Sequence, residues 1–488
     1  MSTQVKARLT EGSVFGTLVR LSIPMLIGLI AGMTYGIADS YWIGQLGGQG
    51  DSLGSIQQAA LTQIYQIDFF LIKLALGLGI GVTVVVSQTI GKGEWEYAQK
   101  ITLSAIALAF LLAIGACIAG LVSMTPLFTH LGVEPQVLVY IKKYMFIWYP
   151  SVIFMIAPVI LNSTMRAAGN AAYPGMIMLL GSLLNLILDP FLIFGIGFLP
   201  HMGIAGAATA TLISRFITFI LAIVFARKIG ILDFKALPFH KLSSLWNKIG
   251  NVAIPTTLTQ IIAPIGGIIM VRLINTYGPF EAAGYGPAFK IEIFFIAPLM
   301  ALGAMIGPFT GQNLGAEKYD RIFEALKKSI LFATIWGVIV AIILYIIRKP
   351  LAPMFNDNEA AYWSFRFYLA ITSWSVAAIG INAIWLQFLN ATGRQRTGTI
   401  LTLIQFFGIT LPLALWAVVH QHHIAWVYTA VLIGHYTGLV LFSIFGLRRV
   451  GELSGRDAPI IRYIAFAFLA FGLIIVFIGI AEQHFRAF

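Results

Sequence analysis

The chain has 488 residues, of which 59% are hydrophobic and only 10% charged, with a formal net charge of +12. Soluble globular domains carry roughly 25% charged residues, so this composition excludes that class and marks an integral membrane protein. Its single cysteine, Cys117, lies in an apolar run, which excludes an intramolecular disulfide and any cysteine-ligated metal.

Residues 1–13 are polar and contain Lys6 and Arg8. The apolar run that follows is too long for a signal-peptide core, so a retained first helix is expected. About 20 apolar residues are needed per crossing. That window predicts thirteen spans, at 16–46, 59–90, 101–126, 138–161, 174–198, 204–226, 251–276, 287–313, 326–347, 361–389, 398–419, 424–446 and 459–481. Basic residues gather in alternate loops: Lys6 and Arg8; Lys92 and Lys100; Arg166; Arg227, Lys228, Lys235, Lys241 and Lys248; Lys318, Arg321, Lys327 and Lys328; Arg394 and Arg396; Arg448, Arg449 and Arg456. The other loops and nearby span ends hold little beyond Lys142, Lys143, Arg348, Lys349, Arg366 and Arg486. The asymmetry predicts a cytoplasmic N-terminus and an external C-terminus. It also accounts for the net charge without a nucleic-acid partner.

The chain repeats itself. Gln88-Thr-Ile-Gly91 recurs as Gln312-Asn-Leu-Gly315, and Ala167-Ala-Gly169 as Ala391-Thr-Gly393, both at a separation of 224 residues. The openings, Ser22-Ile-Pro24 and Ala253-Ile-Pro255, correspond at 231, the difference fitting a longer first outer loop. Six spans per repeat is an even number, so both repeats start on the same side. The predicted fold is therefore all-α, with two six-helix bundles as parallel internal repeats around a central cavity. The expected division is an N-terminal lobe at 1–226, a cytoplasmic linker at 227–250, a C-terminal lobe at 251–447, and an extra transmembrane helix at 448–488.

Two acids fall deep in spans. Asp39 stands 23 residues into the first and Asp189 stands 15 into the fifth, depths of roughly 35 and 22 Å at ~1.5 Å per residue. A carboxylate in hydrocarbon is costly enough to be a functional hypothesis by default. Tyr35 lies one turn before Asp39, and Asn185 shares a helical face with Asp189. With Thr209 and Thr211 in the sixth span, these groups offer oxygen ligands to a hard cation such as Na⁺, or a carboxyl to a proton. The repeat puts Met270 at the position of Asp39, and the counterparts of Asp189 and Pro190 near Leu411 and Pro412. The deep acid pair thus belongs to the first half only. Asp68 in span two instead matches Glu292 in span eight, at 224, and each has a lysine nearby, Lys73 and Lys290. Local acid–lysine pairing is one reading of these groups. A role in a substrate cavity or gate, shared with Asn162, is the other.

Prolines 24, 150, 190, 255, 264, 298 and 412 fall in or at the ends of spans, where they are tolerated as kinks or hinges. Gly77, Gly79 and Gly81 form a small-residue run suited to close helix approach. An apolar setting without a following lysine excludes a phosphate loop there. His420, His422 and His423 are read as a solvated outer turn.

With Ala38-Asp-Ser-Tyr-Trp-Ile-Gly44, the paired Gln-x-x-Gly stretches, Arg166-Ala-Ala-Gly169, Asn185-Leu-Ile-Leu-Asp-Pro190 and Gly203-Ile-Ala-Gly-Ala-Ala208, the chain resembles the multidrug and toxic compound extrusion (MATE) family over about residues 10–450. The resemblance implies a non-enzymatic antiporter. It would export amphipathic, mainly cationic compounds against inward H⁺ or Na⁺ by alternating access, with no cofactor beyond that ion. In the DinF-like branch the matching positions, Asp39, Asn185, Asp189, Thr211 and Tyr35, hold the coupling ion. The NorM-like branch also uses acids in spans seven and ten. Span seven here has Ala263 and Pro264 where an acid is expected, and span ten has no matching acid, which favours the DinF-like branch. The expected setting is a bacterial inner membrane, as a monomer handling small organic substrates. The rival within the superfamily is a lipid-linked saccharide flippase, against which the acidic deep charges argue. An intramembrane aspartyl protease would need a Gly-x-Gly-Asp stretch, and neither aspartate has one.

Overall fold

The structure, a computed structural model, describes residues 9–46, 52–197, 200–236, 242–355 and 358–455, without the side chains at 35–38, 52, 53 and 55. The predicted thirteenth span and the Tyr35 side chain therefore lie outside the described residues. Helices make up nearly all of the described chain, and twelve stretches are long and apolar enough to cross a membrane. The physical cause is the solvent: hydrocarbon offers no partner to N–H or C=O, so each crossing segment must close its own hydrogen bonds.

In order the helices are α1 (Val14–Gly44), α2 (Ser52–Gly91), α3 (Trp95–His130), α4 (Pro135–Ala167), α5 (Ala172–Phe194), α6 (Ile204–Ile229), α7 (Leu242–Asn275), α8 (Pro279–Gly315) and α9 (Tyr319–Phe355). The tenth span joins α10 (Glu359–Thr372) to α11 (Val376–Ala391) through a 3₁₀ turn at Ser373–Ser375. The eleventh runs α12 (Gln395–Leu403), a π-helical stretch at Ile404–Thr410, and α13 (Leu411–Val419). The last is α14 (Ala425–Ser454). The ends follow local chemistry. Pro135 and Pro279 open α4 and α8, where a missing N–H costs nothing. The Asn358 side chain accepts from the Ala360 amide at 2.9 Å to cap α10. Gly195 and Gly230 close α5 and α6 at φ of 70° and 84°.

The chain resolves into two compact units whose boundaries fall inside helices. Among the described residues, the first holds Arg20–Thr257 and the second holds Leu9–Val19 and 258–455. Thus the base of α1 belongs to the second unit and its body to the first, while α7 is divided the other way. The first unit has a core of large buried side chains, Phe128, Tyr144 and Trp148 among them. Its α2–α7 contact uses the glycine run directly: a Cβ on Gly77 would stand 2.3 Å from the Thr257 Cα, and one on Gly81 2.6 Å from the Ala253 Cα. The second unit buries Phe309, Phe365, Trp385, Phe388 and Phe442.

Candidate functional site

The two deep acids meet because two glycines let their helices approach. A Cβ on Gly175 of α5 would lie 2.2 Å from the carbonyl oxygen of Pro24 in α1, and one on Gly28 would lie 3.0 Å from Met178 Cβ. Farther along the same pair of helices, Asp39 and Asp189 come within hydrogen-bonding reach of each other. Asp39, Asp189 and Asn185 are each 0% exposed, so the group is sealed from bulk water and lipid. Asn185 Nδ2 donates to Asp189 Oδ1 at 3.3 Å, the i,i+4 contact expected on one helical face. Tyr65 of α2 donates its hydroxyl to Asp39 Oδ2 at 3.2 Å.

Among the described residues, three of the group's oxygens have no hydrogen-bond donor: Asp39 Oδ1, Asp189 Oδ2 and Asn185 Oδ1. Buried polar atoms are normally satisfied, and a hydrogen bond between two carboxyl groups requires a proton on one of them. Orphaned hard-oxygen atoms fit a bound proton or a small hard cation. No group of three or more His, Cys, Asp or Glu side chains suited to a metal occurs among the described residues, so any metal held here would rest on two carboxylates and neutral oxygens.

Thr211 is buried in the same unit, and its side chain is hydrogen-bonded with that of Tyr144. Tyr144 in turn lies within electrostatic range of Asp39, Asp68 and Arg215. Thr209 bonds back to the Ala205 carbonyl in its own helix, at 2.8 Å. Asn162 is buried on α4, its Oδ1 without a hydrogen-bond partner among the described residues.

The expected local acid–lysine pairs do not form. Asp68 is held by Arg215 of α6 at 2.7 Å, and Lys73 stands over the Phe69 ring at 5.1 Å. Arg215 also donates to Ser151 Oγ at 2.8 Å and covers the Trp148 ring at 5.1 Å. Glu292 accepts instead from the Tyr368 hydroxyl, while Lys290 is exposed. The physical reason is helical geometry. Residues two or five apart point to different faces, so sequence proximity does not become contact. Tyr65 and Arg215 are the members that sequence reasoning missed. Arg215 had a signal, a cation in the middle of an apolar span; Tyr65 had none beyond its place in one.

Matches to known proteins agree with this architecture. The MatE family model matches residues 24–191 and 255–416. The chain is 29% identical over 398 residues to a FAD transporter of Shewanella oneidensis, covering 81% of this chain and 86% of that protein. It is 27% identical over 402 residues to the multidrug export protein MepA of Staphylococcus haemolyticus, covering 81% and 85%. Among solved structures, the Vibrio cholerae transporter VcmN in its bent form superposes with a TM-score of 0.82 at 25% identity, over 91% of this chain and 99% of that one. An outward-facing multidrug resistance transporter shares the fold at a TM-score of 0.83 and 22% identity, over 92% and 99%.

Proposed function

The chain belongs to the multidrug and toxic compound extrusion (MATE) family of multi-pass membrane transporters, and on that footing we propose that it is a secondary active antiporter of the DinF-like branch. In this reading it exports amphipathic, mainly cationic compounds in exchange for H⁺ or Na⁺ by alternating access. Asp39 and Asp189, with Asn185, take the coupling ion. The N-terminus is cytoplasmic, and the membrane is a bacterial inner membrane. The observation that supports the reading is the sealed acid pair with its three oxygens unpartnered among the described residues, none of whose basic side chains forms an ion pair with it, Arg215 being paired with Asp68. An uncompensated buried carboxylate pair is costly, and loading an ion relieves that cost. Coupling then requires only that ion and substrate favour different states of the protein.

The relatedness to a FAD transporter supports a second reading of the substrate, export of a dinucleotide anion by the same ion-driven cycle. Proteoliposomes separate the alternatives. A fluorescent lipophilic cation and FAD are offered in parallel, with pH and Na⁺ gradients imposed one at a time. Gradient-driven movement of the cation supports the first reading and of FAD the second; drive by neither gradient overturns the antiporter. Asp39→Asn is expected to lower gradient-driven flux at least about 100-fold. Full retention of flux in that variant would remove the ion site from Asp39.

A further inference from the structure

The chain entering α1 is not helical from Leu9 to Gly12, so its carbonyls need partners from elsewhere. All four find them at the end of α8 and the start of α9, within the second unit. Arg321 Nη1 donates to the Gly12 carbonyl at 2.8 Å, and its Nη2 to those of Glu11 at 3.0 Å and Leu9 at 3.3 Å. Lys318 Nζ takes the Thr10 carbonyl at 3.0 Å, and Asn313 Nδ2 takes that of Leu9 at 3.1 Å. Gln312 Oε1 accepts the Leu9 amide at 3.1 Å, and Arg321 Nε braces Asn313 Oδ1 at 3.1 Å. Leu9 and Thr10 are buried in this grip.

The internal repeat shows that the grip is not a generic part of the fold. At the separation of 224, Gln312 has Gln88 as counterpart, but Asn313, Lys318 and Arg321 correspond to Thr89, Glu94 and Tyr97. The base of α7, which belongs to the first unit, is seated there by other means. Lys248 covers the Tyr97 ring at 4.7 Å, Trp246 donates to the Ser104 carbonyl at 2.9 Å, and Thr256 Oγ1 to the Gly77 carbonyl at 2.8 Å. One crossing helix is therefore packed in place through close backbone contact. The other is tied by charged donors on backbone carbonyls, bonds that water can replace when the strap moves away.

We propose that Arg321, with Lys318 and Asn313, is a positioning clamp that ties the base of α1 to the second unit, so that ion loading at Asp39 is transmitted along α1 to that unit. Asp39 stands 25 residues beyond Val14 on one continuous helix, a lever of roughly 38 Å at ~1.5 Å per residue. The transmission half of this proposal rests on the reading of Asp39 as the coupling residue; the clamp itself does not.

The test uses the full chain with Cys117→Ser and Thr10→Cys, reconstituted in proteoliposomes, with a membrane-impermeant maleimide as probe. Arg321→Met is expected to raise labelling at position 10 at least about tenfold and to lower gradient-driven flux by a similar factor. Arg321→Lys, which keeps the charge but cannot span three carbonyls, is expected to recover part of both. Labelling in the Arg321-intact chain should change when the coupling gradient is imposed, and that response should vanish in Asp39→Asn. Unchanged labelling in Arg321→Met overturns the clamp. A gradient response that survives Asp39→Asn overturns the transmission. Absence of any gradient-driven flux in the otherwise unaltered chain overturns the antiporter reading instead, and leaves the clamp to be decided by labelling. Size-exclusion profiles of each variant separate these outcomes from misfolding, and Lys318→Met, expected to give about a threefold labelling increase, provides a milder variant.

Discussion

Asp68 in the first unit and Glu292 in the second occupy the same place in the repeat, and so do Tyr144 and Tyr368, again 224 residues apart. Their surroundings differ in charge chiefly at one position. Asp68 is neutralised by Arg215, whereas the position matching Arg215 in the second unit is Leu439, and Glu292 is met by the neutral hydroxyls of Tyr368 and Thr372. The two halves therefore share an acid near a buried tyrosine and differ in its charge balance. In the first unit Arg215 pairs with Asp68, and no ion pair to Asp39 or Asp189 occurs among the described residues. In the second, Met270 replaces Asp39, and the acid that remains stands apart from any basic partner among the described residues.

The largest break of this comparison is Arg215→Met. It leaves the part-buried Asp68, 13% exposed, without its cation, and removing one partner of a fully buried pair costs about 3–5 kcal/mol, the upper bound here. Thermal unfolding of the purified protein should report that loss, and Arg215→Met combined with Asp68→Asn should recover most of it. An equal loss in single and double variants would show that Arg215 acts through Ser151 and Trp148 rather than through Asp68.

The glycine run gives a second asymmetry. Gly77 corresponds to Ala301 and Gly79 to Gly303 at the same separation. A methyl on Gly77 would collide with the Thr257 backbone at 2.3 Å, whereas one on Gly303 would meet Ala383 at 3.6 Å, an ordinary contact. Gly77→Ala is thus expected to destabilise by about 1–3 kcal/mol through forced backbone displacement. Gly303→Ala should fall within about 0.5 kcal/mol of the parent. Equal melting temperatures for the two variants would mean that the α2–α7 approach is looser than the structure shows.

The smallest effect is expected at Glu292→Gln. The amide keeps an oxygen for Tyr368 and breaks no ion pair, so stability should change by no more than about 1 kcal/mol. The matching change in the first unit, Asp68→Asn, strands Arg215 and should cost several times more. Similar costs at the two positions would erase the distinction between the units.

Much of the candidate site was legible beforehand. Asp39 and Asp189 announced themselves as acids in apolar helices, and Asn185 followed from its four-residue spacing. The partners were less accessible. Asp68 and Glu292 each had a lysine nearby in sequence, yet one acid bonds an arginine 147 residues away and the other a tyrosine 76 residues away. Helix rotation and packing decide which faces meet, and neither is written in local spacing. Tyr65 illustrates the same limit, because nothing separates it from the other tyrosines until α2 is packed beside α1.

The amino-acid sequence by itself determined the helical class, the count of six spans per repeat and the confinement of the Asp39–Asp189 pair to one half. It could do so because hydrocarbon leaves helices as the available form for such segments and makes every buried charge conspicuous. Only the tertiary structure decided that Asp39 and Asp189 share one sealed group, that Arg215 serves Asp68, and that α1 begins in one unit and carries its acid in the other. Those facts depend on contacts between segments far apart in the chain, set by the close approach that Gly28, Gly77 and Gly175 permit and by the charged donors that bind the strap at Leu9–Gly12.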